Sequence, residues 1–90
     1  MPVVQNKEKS RFELEVEGYT AIAAYTLAGD VITFTHTEVP KELGGKGVGS
    51  QLAKGALDGV RAQKLRVIPR CPFIKAYIEK HAEYQDLLAN

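Results

Sequence analysis

Hydrophobic and polar residues alternate along the first half of the chain, as they do in a strand with one buried face. In residues 10–17 the apolar Phe12, Leu14 and Val16 are separated by charged or polar side chains. Residues 21–27 repeat the alternation with smaller side chains, and residues 31–39 are rich in β-branched and aromatic residues. A period of two residues is typical of β-strands. The pattern therefore predicts three consecutive strands joined by hairpins.

The hydrophobic period lengthens in the second half of the chain. From Val48 to Val60 apolar residues recur at spacings of three and four. This spacing predicts an amphipathic helix that ends at about Gln63 and covers the sheet. Gly55 and Gly59 lie inside the helix, where glycine is unfavourable, so we expect the helix to lie very close to the strands at these positions.

The remaining elements complete a mixed α/β (α+β) fold with the order βββαβα. Residues 65–68 form a short apolar strand, and residues 73–88 are helical with a break near His81. Because a helix separates the third strand from the fourth, these two strands are expected to pair in parallel. We assign residues 1–9 to a flexible N-terminus and residues 10–90 to a single domain.

Composition narrows the classes of function. With 90 residues, of which 44% are hydrophobic, the chain builds one modest core. Lys plus Arg number 12 and Asp plus Glu number 11, without a block of like charge, so neither nucleic acid nor a membrane is expected as a partner. A lone cysteine and an N-terminus without an apolar segment favour a cytoplasmic protein. Two helices cover the sheet only in part, which leaves a monomer and a weak homodimer open.

A glycine-rich stretch, GGKGVGS at residues 44–50, stands between the third strand and the first helix. The unpaired N–H groups of a helix start and its partial positive charge make such a junction a site for phosphate. The dinucleotide fingerprint G-x-G-x-x-G does not fit, because Gly45, Gly47 and Gly49 are spaced by two throughout. The P-loop pattern also fails, since no lysine follows the last glycine. The alternative interpretation is a tight connector that binds nothing.

The stretch resembles the acyl-CoA pyrophosphate loop of the GNAT superfamily of N-acetyltransferases, whose pattern is Gln/Arg-x-x-Gly-x-Gly/Ala. Gly47 and Gly49 match its two small positions, whereas Gly44 occupies the Gln/Arg place. Together with HTEVP at residues 36–40 and IPRCPFIKAYIEKH at residues 68–81, it resembles a family of very small, minimal GNAT proteins. The resemblance implies a truncated acetyltransferase fold in which CoA lies in an opening between two parallel strands.

The resemblance also implies the cofactor and its contacts. Acetyl-CoA would be the cosubstrate, an unidentified amine the acceptor, and no metal would be needed. Pantetheine would run along the main chain of residues 37–39, the diphosphate would meet the N–H groups of residues 45–50, and Lys46 would add a charge. The implied cofactor-binding residues are Thr37, Glu38, Val39, Gly44, Gly45, Lys46, Gly47, Val48, Gly49, Ser50, Cys71 and Pro72.

Four residues are candidates for catalysis by direct attack in a ternary complex. His36 or Glu38 would act as the base that removes the amine proton, through a water molecule. Tyr77 or Cys71 would assist the departing CoA sulfur, and in a covalent variant Cys71 itself would carry the acyl group. Proximity would supply most of the rate enhancement, because a thioester is already activated.

Each of these residues also has a structural interpretation. His36 shares a strand face with Ile32 and Phe34 by simple alternation, which suits a packed core histidine, and Glu38 suits a solvated carboxylate. Cys71 and Tyr77 suit small and aromatic core positions. The sequence therefore leaves three classes of protein open: an N-acetyltransferase, a CoA-binding module without catalysis, and a purely structural interaction domain.

Overall fold

Strand pairing in the computed structural model, which describes residues 3–89, forms one five-stranded sheet with the spatial order β1-β2-β3-β4-β5. The first three pairs are antiparallel and β4 pairs with β5 in parallel. The strands are β1 (Val4–Asn6), β2 (Arg11–Val16), β3 (Tyr19–Ala28), β4 (Val31–Glu38) and β5 (Arg66–Pro69). The helices are α1 (Val48–Ala62) and α2 (Pro72–Lys80), with short 3-10 segments at Lys41–Leu43 and Ala82–Leu87.

The predicted mixed fold and its parallel strand pair are confirmed. Residues 4–6, in the segment assigned to a flexible N-terminus, form β1 and pair with β2, so the sheet has five strands instead of the predicted four. A strand of three residues is too short to show a period, and its pairing depends on a neighbour. The predicted break near His81 is confirmed, and the chain beyond it continues as a 3-10 segment.

The core lies between one face of the sheet and the two helices. Helix α1 buries its apolar stripe against β2 and β3, whose inward side chains include Phe12 and Leu14. A Cβ added at Gly59 would lie 3.1 Å from Cε1 of Phe12, and one added at Gly55 would overlap Val3. The predicted close approach of the helix is therefore confirmed for Gly59, where even one methyl group requires Phe12 to shift.

A β-bulge interrupts β4 at Thr35. Ala24 of β3 pairs with His36, whereas the next residue, Tyr25, pairs with Phe34, so β4 carries one extra residue at Thr35. The Thr35 hydroxyl contacts the carbonyl oxygen of Ala24 at 3.4 Å. An extra residue on one strand reverses the alternation of side chains beyond it.

Because of the bulge, His36 lies on the face of the sheet opposite to the one expected from the sequence. Simple alternation placed His36 on the face of Ile32 and Phe34, and both of these residues are buried. Beyond the bulge, however, Thr37 lies opposite the buried Ala23 and faces the helices, while His36 is exposed on the opposite face. The interpretation of His36 as a core histidine is therefore wrong.

The C-terminal 3-10 segment is held against α1 by polar contacts. The Tyr84 hydroxyl donates to Oδ1 of Asp58 at 2.7 Å, and Arg61 forms two hydrogen bonds with Asp86. Burial, helped by the contact with Asp58, raises the pKa of Tyr84 to about 12. The same hydrogen bond lowers the pKa of Asp58. Within residues 3–89, neither helix is long and apolar enough to span a bilayer.

Candidate active site

An opening forms where β4 and β5 separate. Their parallel ladder ends at the pair Phe34 and Pro69. The carbonyl oxygen of Phe34 accepts hydrogen bonds from the N–H groups of Arg70 and Cys71 at 3.0 and 2.9 Å, and the chain then turns into α2. Strand β4 continues to Glu38, and beyond Phe34 no described residue pairs with it on the β5 side. The main chain of residues 35–38 therefore has no pairing partner on that side among the described residues.

The glycine-rich stretch presents unpaired backbone N–H groups at the start of α1. Gly47 is the N-cap with φ of 70°, and no side chain caps the helix. Among residues 3–89 no protein acceptor lies within hydrogen-bond reach of the N–H groups of Gly45, Gly47, Val48, Gly49 and Ser50. Four unpaired donors are usual at a helix start and are satisfied by water or a ligand when no cap is present. Except for the buried Val48 and half-buried Gly49, these residues are exposed.

Lys46, within the same stretch, is engaged in an ion pair. Its Nζ donates to both carboxylate oxygens of Glu17, at 3.0 and 2.8 Å, and its N–H group bonds to the carbonyl oxygen of Leu43 at 3.4 Å. The two charged side chains remain 44% and 62% exposed. The charge of Lys46 expected at the loop is therefore paired with Glu17, in the turn between β2 and β3.

Cys71 lies at the base of the opening. It is the residue before Pro72, the first residue of α2, and only 3% of it is exposed. Its Sγ lies 3.0 Å from Oγ1 of Thr37, which the bulge has turned toward the helices. The structure thus brings together Cys71 and Thr37, which are separated by 34 residues in the chain.

Tyr77 lines a depression of about 220 Å³ between the first turn of α1 and α2. Its ring stacks on His81 at a centroid distance of 3.9 Å, and Nδ1 of His81 contacts the Tyr77 carbonyl oxygen at 2.8 Å. Burial raises the pKa of Tyr77, so its hydroxyl keeps its proton at neutral pH. Phe73 and Ser50 complete the wall nearest to the loop.

His36 and Glu38 form a pair on the sheet face away from the helices. Nε2 of His36 lies 2.8 Å from Oε2 of Glu38, and the two side chains are 56% and 65% exposed. A neutral histidine that donates from Nε2 retains a lone pair on Nδ1, which accepts a proton. Glu38 also lines a depression of about 400 Å³ at the end of β4, with Thr20, Thr37, Val39 and Pro40.

Apart from Tyr77 and Val39, which line the two depressions, the site residues expected from the sequence fall into three groups. Thr37, Cys71 and Pro72 meet at the opening; residues 44–50 form the loop; and His36 with Glu38 occupies the other sheet face. The sequence interpretation missed Glu17 and the contact of Thr37 with Cys71. Neither belongs to a motif, and each depends on contacts between distant segments. Within residues 3–89 no group of three or more potential metal ligands is present.

The sheet, the opening and the amide-lined helix start define a class of acyltransferase. The chain belongs to the family of GCN5-related N-acetyltransferases, because the model of that family matches residues 11–87. The expected superfamily and the acyltransferase class are thereby confirmed.

Individual relatives agree with this assignment. The chain is 29% identical to Protein NATD1 of Mus musculus over 82 residues, which cover 88% of this chain and 74% of that protein. The same identity holds for Protein NATD1 of Homo sapiens, of which 73% is covered. A GCN5-like protein from Staphylococcus aureus, solved by NMR in solution, superposes with a TM-score of 0.73 at 32% identity, covering 98% of this chain and 87% of the other.

Proposed function

We propose that this protein transfers the acetyl group of acetyl-CoA to an amine by direct attack in a ternary complex. The observation that carries the proposal is the set of unpaired N–H groups at Gly45 and residues 47–50, at the start of α1. Several convergent N–H groups with the helix dipole behind them form a binding site for a diphosphate. The open edge of β4 beside them supplies the path for the pantetheine arm.

The contacts of the opening support the placement of the thioester. Pantetheine amides pair with the free edge of residues 37–39 in the manner of an added strand. The thioester carbonyl then lies close to Thr37 and Cys71, where main-chain N–H groups of β4 polarise it. Lys46 exchanges its partner Glu17 for a phosphate oxygen in this arrangement.

The acceptor amine approaches from the face of the sheet that carries no helix. His36, oriented by its contact with Glu38, removes one amine proton directly or through a water molecule. The amine nitrogen bonds to the carbonyl carbon, the carbon–sulfur bond breaks, and the departing CoA thiolate takes up a proton. Tyr77 is the donor we favour, because it lines the depression beside the start of α1 and a phenol is protonated at neutral pH.

Direct attack is favoured over a covalent route through Cys71. The Cys71 side chain is almost completely buried and is in contact with Thr37, so the thiol must move before it reaches a thioester carbon. Incubation with acetyl-CoA alone should therefore leave the protein mass unchanged, and Cys71→Ala should retain most of the activity. A gain of one acetyl group that disappears in Cys71→Ala would establish the covalent route instead.

Release of CoA thiol with acetyl-CoA and a panel of primary amines tests the proposal. His36→Asn should lower kcat by about 100- to 10,000-fold, since general bases contribute in this range, and Glu38→Gln should lower it by less because Glu38 orients the base. Glu15→Gln is the matched control, because Glu15 is an exposed carboxylate on the same face of the sheet. Saturable CoA binding without turnover for any amine would favour the alternative, a CoA-binding module without catalysis.

A further inference from the structure

A carboxylate from the turn between β2 and β3 reaches the glycine-rich stretch. Glu17 contacts Lys46 through both of its oxygens, at 3.0 and 2.8 Å, although 29 residues separate the two in the chain. No other side chain among residues 3–89 contacts the Glu17 carboxylate within hydrogen-bond distance. The ion pair therefore joins the β2–β3 hairpin to the loop that precedes α1.

The backbone at Glu17 is one that turn chemistry does not favour for this residue. Val16 pairs with Tyr19, so Glu17 and Gly18 form a two-residue hairpin turn, with φ of 53° and 83°. Positive φ at both central residues is the geometry that selects Asn, Asp or Gly. A glutamate there costs about 1 kcal/mol in backbone strain.

We propose that Glu17 is an internal competitor of the cofactor diphosphate for Lys46, and thereby sets the affinity of the protein for CoA. The inference depends on the proposed function only in assigning the diphosphate to this loop. Glu17 neutralises the lysine in the free protein and opposes an approaching anion. When a diphosphate binds at the start of α1, Lys46 exchanges one pair of oxygens for another, and Glu17 returns to water.

The exposure of the pair makes this exchange easy. Both side chains are about half exposed, and exposed ion pairs contribute at most about 1 kcal/mol. A diphosphate carries more charge than a carboxylate, and the N–H groups of Gly47 and Val48 add to its binding. Glu17 therefore lowers the affinity without preventing binding, which suits a cosubstrate that must leave as CoA after each turnover.

Titration calorimetry of four proteins tests the inference: wild type, Glu17→Gln, Lys46→Met and the double variant. Glu17→Gln should bind CoA about two- to fivefold more tightly, in line with the loss of one exposed ion pair. Lys46→Met should bind CoA more weakly. In the Lys46→Met background the gain from Glu17→Gln should fall by at least half, because the effect acts through the lysine.

Inorganic diphosphate and pantetheine serve as additional probes. Glu17→Gln should also tighten binding of diphosphate, whereas binding of pantetheine, which has no phosphate, should not change. Glu15→Gln removes a nearby charge with no ion pair and should leave CoA affinity unchanged. An unchanged or weaker affinity in Glu17→Gln, or an equal gain in the Lys46→Met background, would overturn the inference. Absence of CoA binding in wild type together with a diphosphate response to Glu17→Gln would refute the proposed function alone.

Discussion

The conformation of Gly47 supports a prediction about the start of α1. Gly47 has φ of 70°, which costs a residue with a Cβ about 1 kcal/mol, and its own N–H group is among the unpaired donors. A Cβ added there meets nothing within 4 Å, so Gly47→Ala introduces backbone strain without a clash. The surrounding loop is exposed and is free to relax toward negative φ, which changes the directions of its N–H groups.

In Gly47→Ala, residue 47 must then return to positive φ each time a ligand binds, and the backbone strain returns with it. We therefore expect Gly47→Ala to bind CoA up to about fivefold more weakly, which is the equivalent of about 1 kcal/mol. The matched control is Gly29→Ala, because Gly29 has φ of 61°, also has nothing within 4 Å of an added Cβ, and stands in the β3–β4 turn at the other end of β4.

Thermal unfolding and calorimetry on the two variants separate stability from binding. Gly29→Ala should lower the melting temperature by about 4–8 °C, as expected for about 1 kcal/mol in a domain of this size, and should leave CoA affinity unchanged. Gly47→Ala should lose affinity with a smaller drop in melting temperature, since its loop relaxes. Equal CoA affinity in the two variants would refute the role of this loop geometry in binding.

Three further outcomes follow from contacts in the structure. Tyr84→Phe removes the 2.7 Å hydrogen bond to Asp58 and should lower the free energy of unfolding in urea by about 1 kcal/mol. Because that bond lowers the pKa of Asp58 below 3.8, its contribution is complete above this pH and is lost only as the pH falls from about 4 through the folded-state pKa. Tyr84→Phe should therefore lose stability less steeply than wild type below about pH 4, and parallel curves would contradict this. A Cβ at Gly49 would lie 2.9 Å from Cζ of Phe73, so Gly49→Ala should lower the melting temperature. Adding Phe73→Leu to Gly49→Ala should restore it. No recovery in this double variant would show that the contact is unimportant.

The elements that the sequence predicted are those whose pattern lies within one segment. Helix α1 follows from a regular spacing of apolar residues, and β2 from an unbroken alternation. The break at His81 follows from the loss of the helical period, and there the backbone becomes extended with φ of −126°. In each case neighbours along the chain carry enough information, because burial imposes its period on every residue of the element.

The features that escaped prediction depend on pairing between distant segments. Thr35 stands in a run of β-branched residues that reads as regular strand, and the bulge exists only in the register of β4 against β3. Strand β1 is three residues long and is defined by its partner β2. The ion pair between Glu17 and Lys46 likewise needs the sheet to bring a hairpin turn beside the loop. The resemblance to GNAT proteins identified the loop but contained no information about this partner.

The bulge at Thr35 explains how one strand could contact the thioester on one face of the sheet and the amine on the other in the proposed reaction. Without the extra residue, His36 and Glu38 would point toward the helices, where burial of an ionised side chain is costly. With it, Thr37 meets Cys71 on the helix side while His36 and Glu38 stay exposed on the other. A thioester held at the opening would therefore be reached by the amine from the uncovered face, and neither reactant would need to displace the other. In the proposed reaction, the uncovered face of the sheet would be the route by which the amine enters.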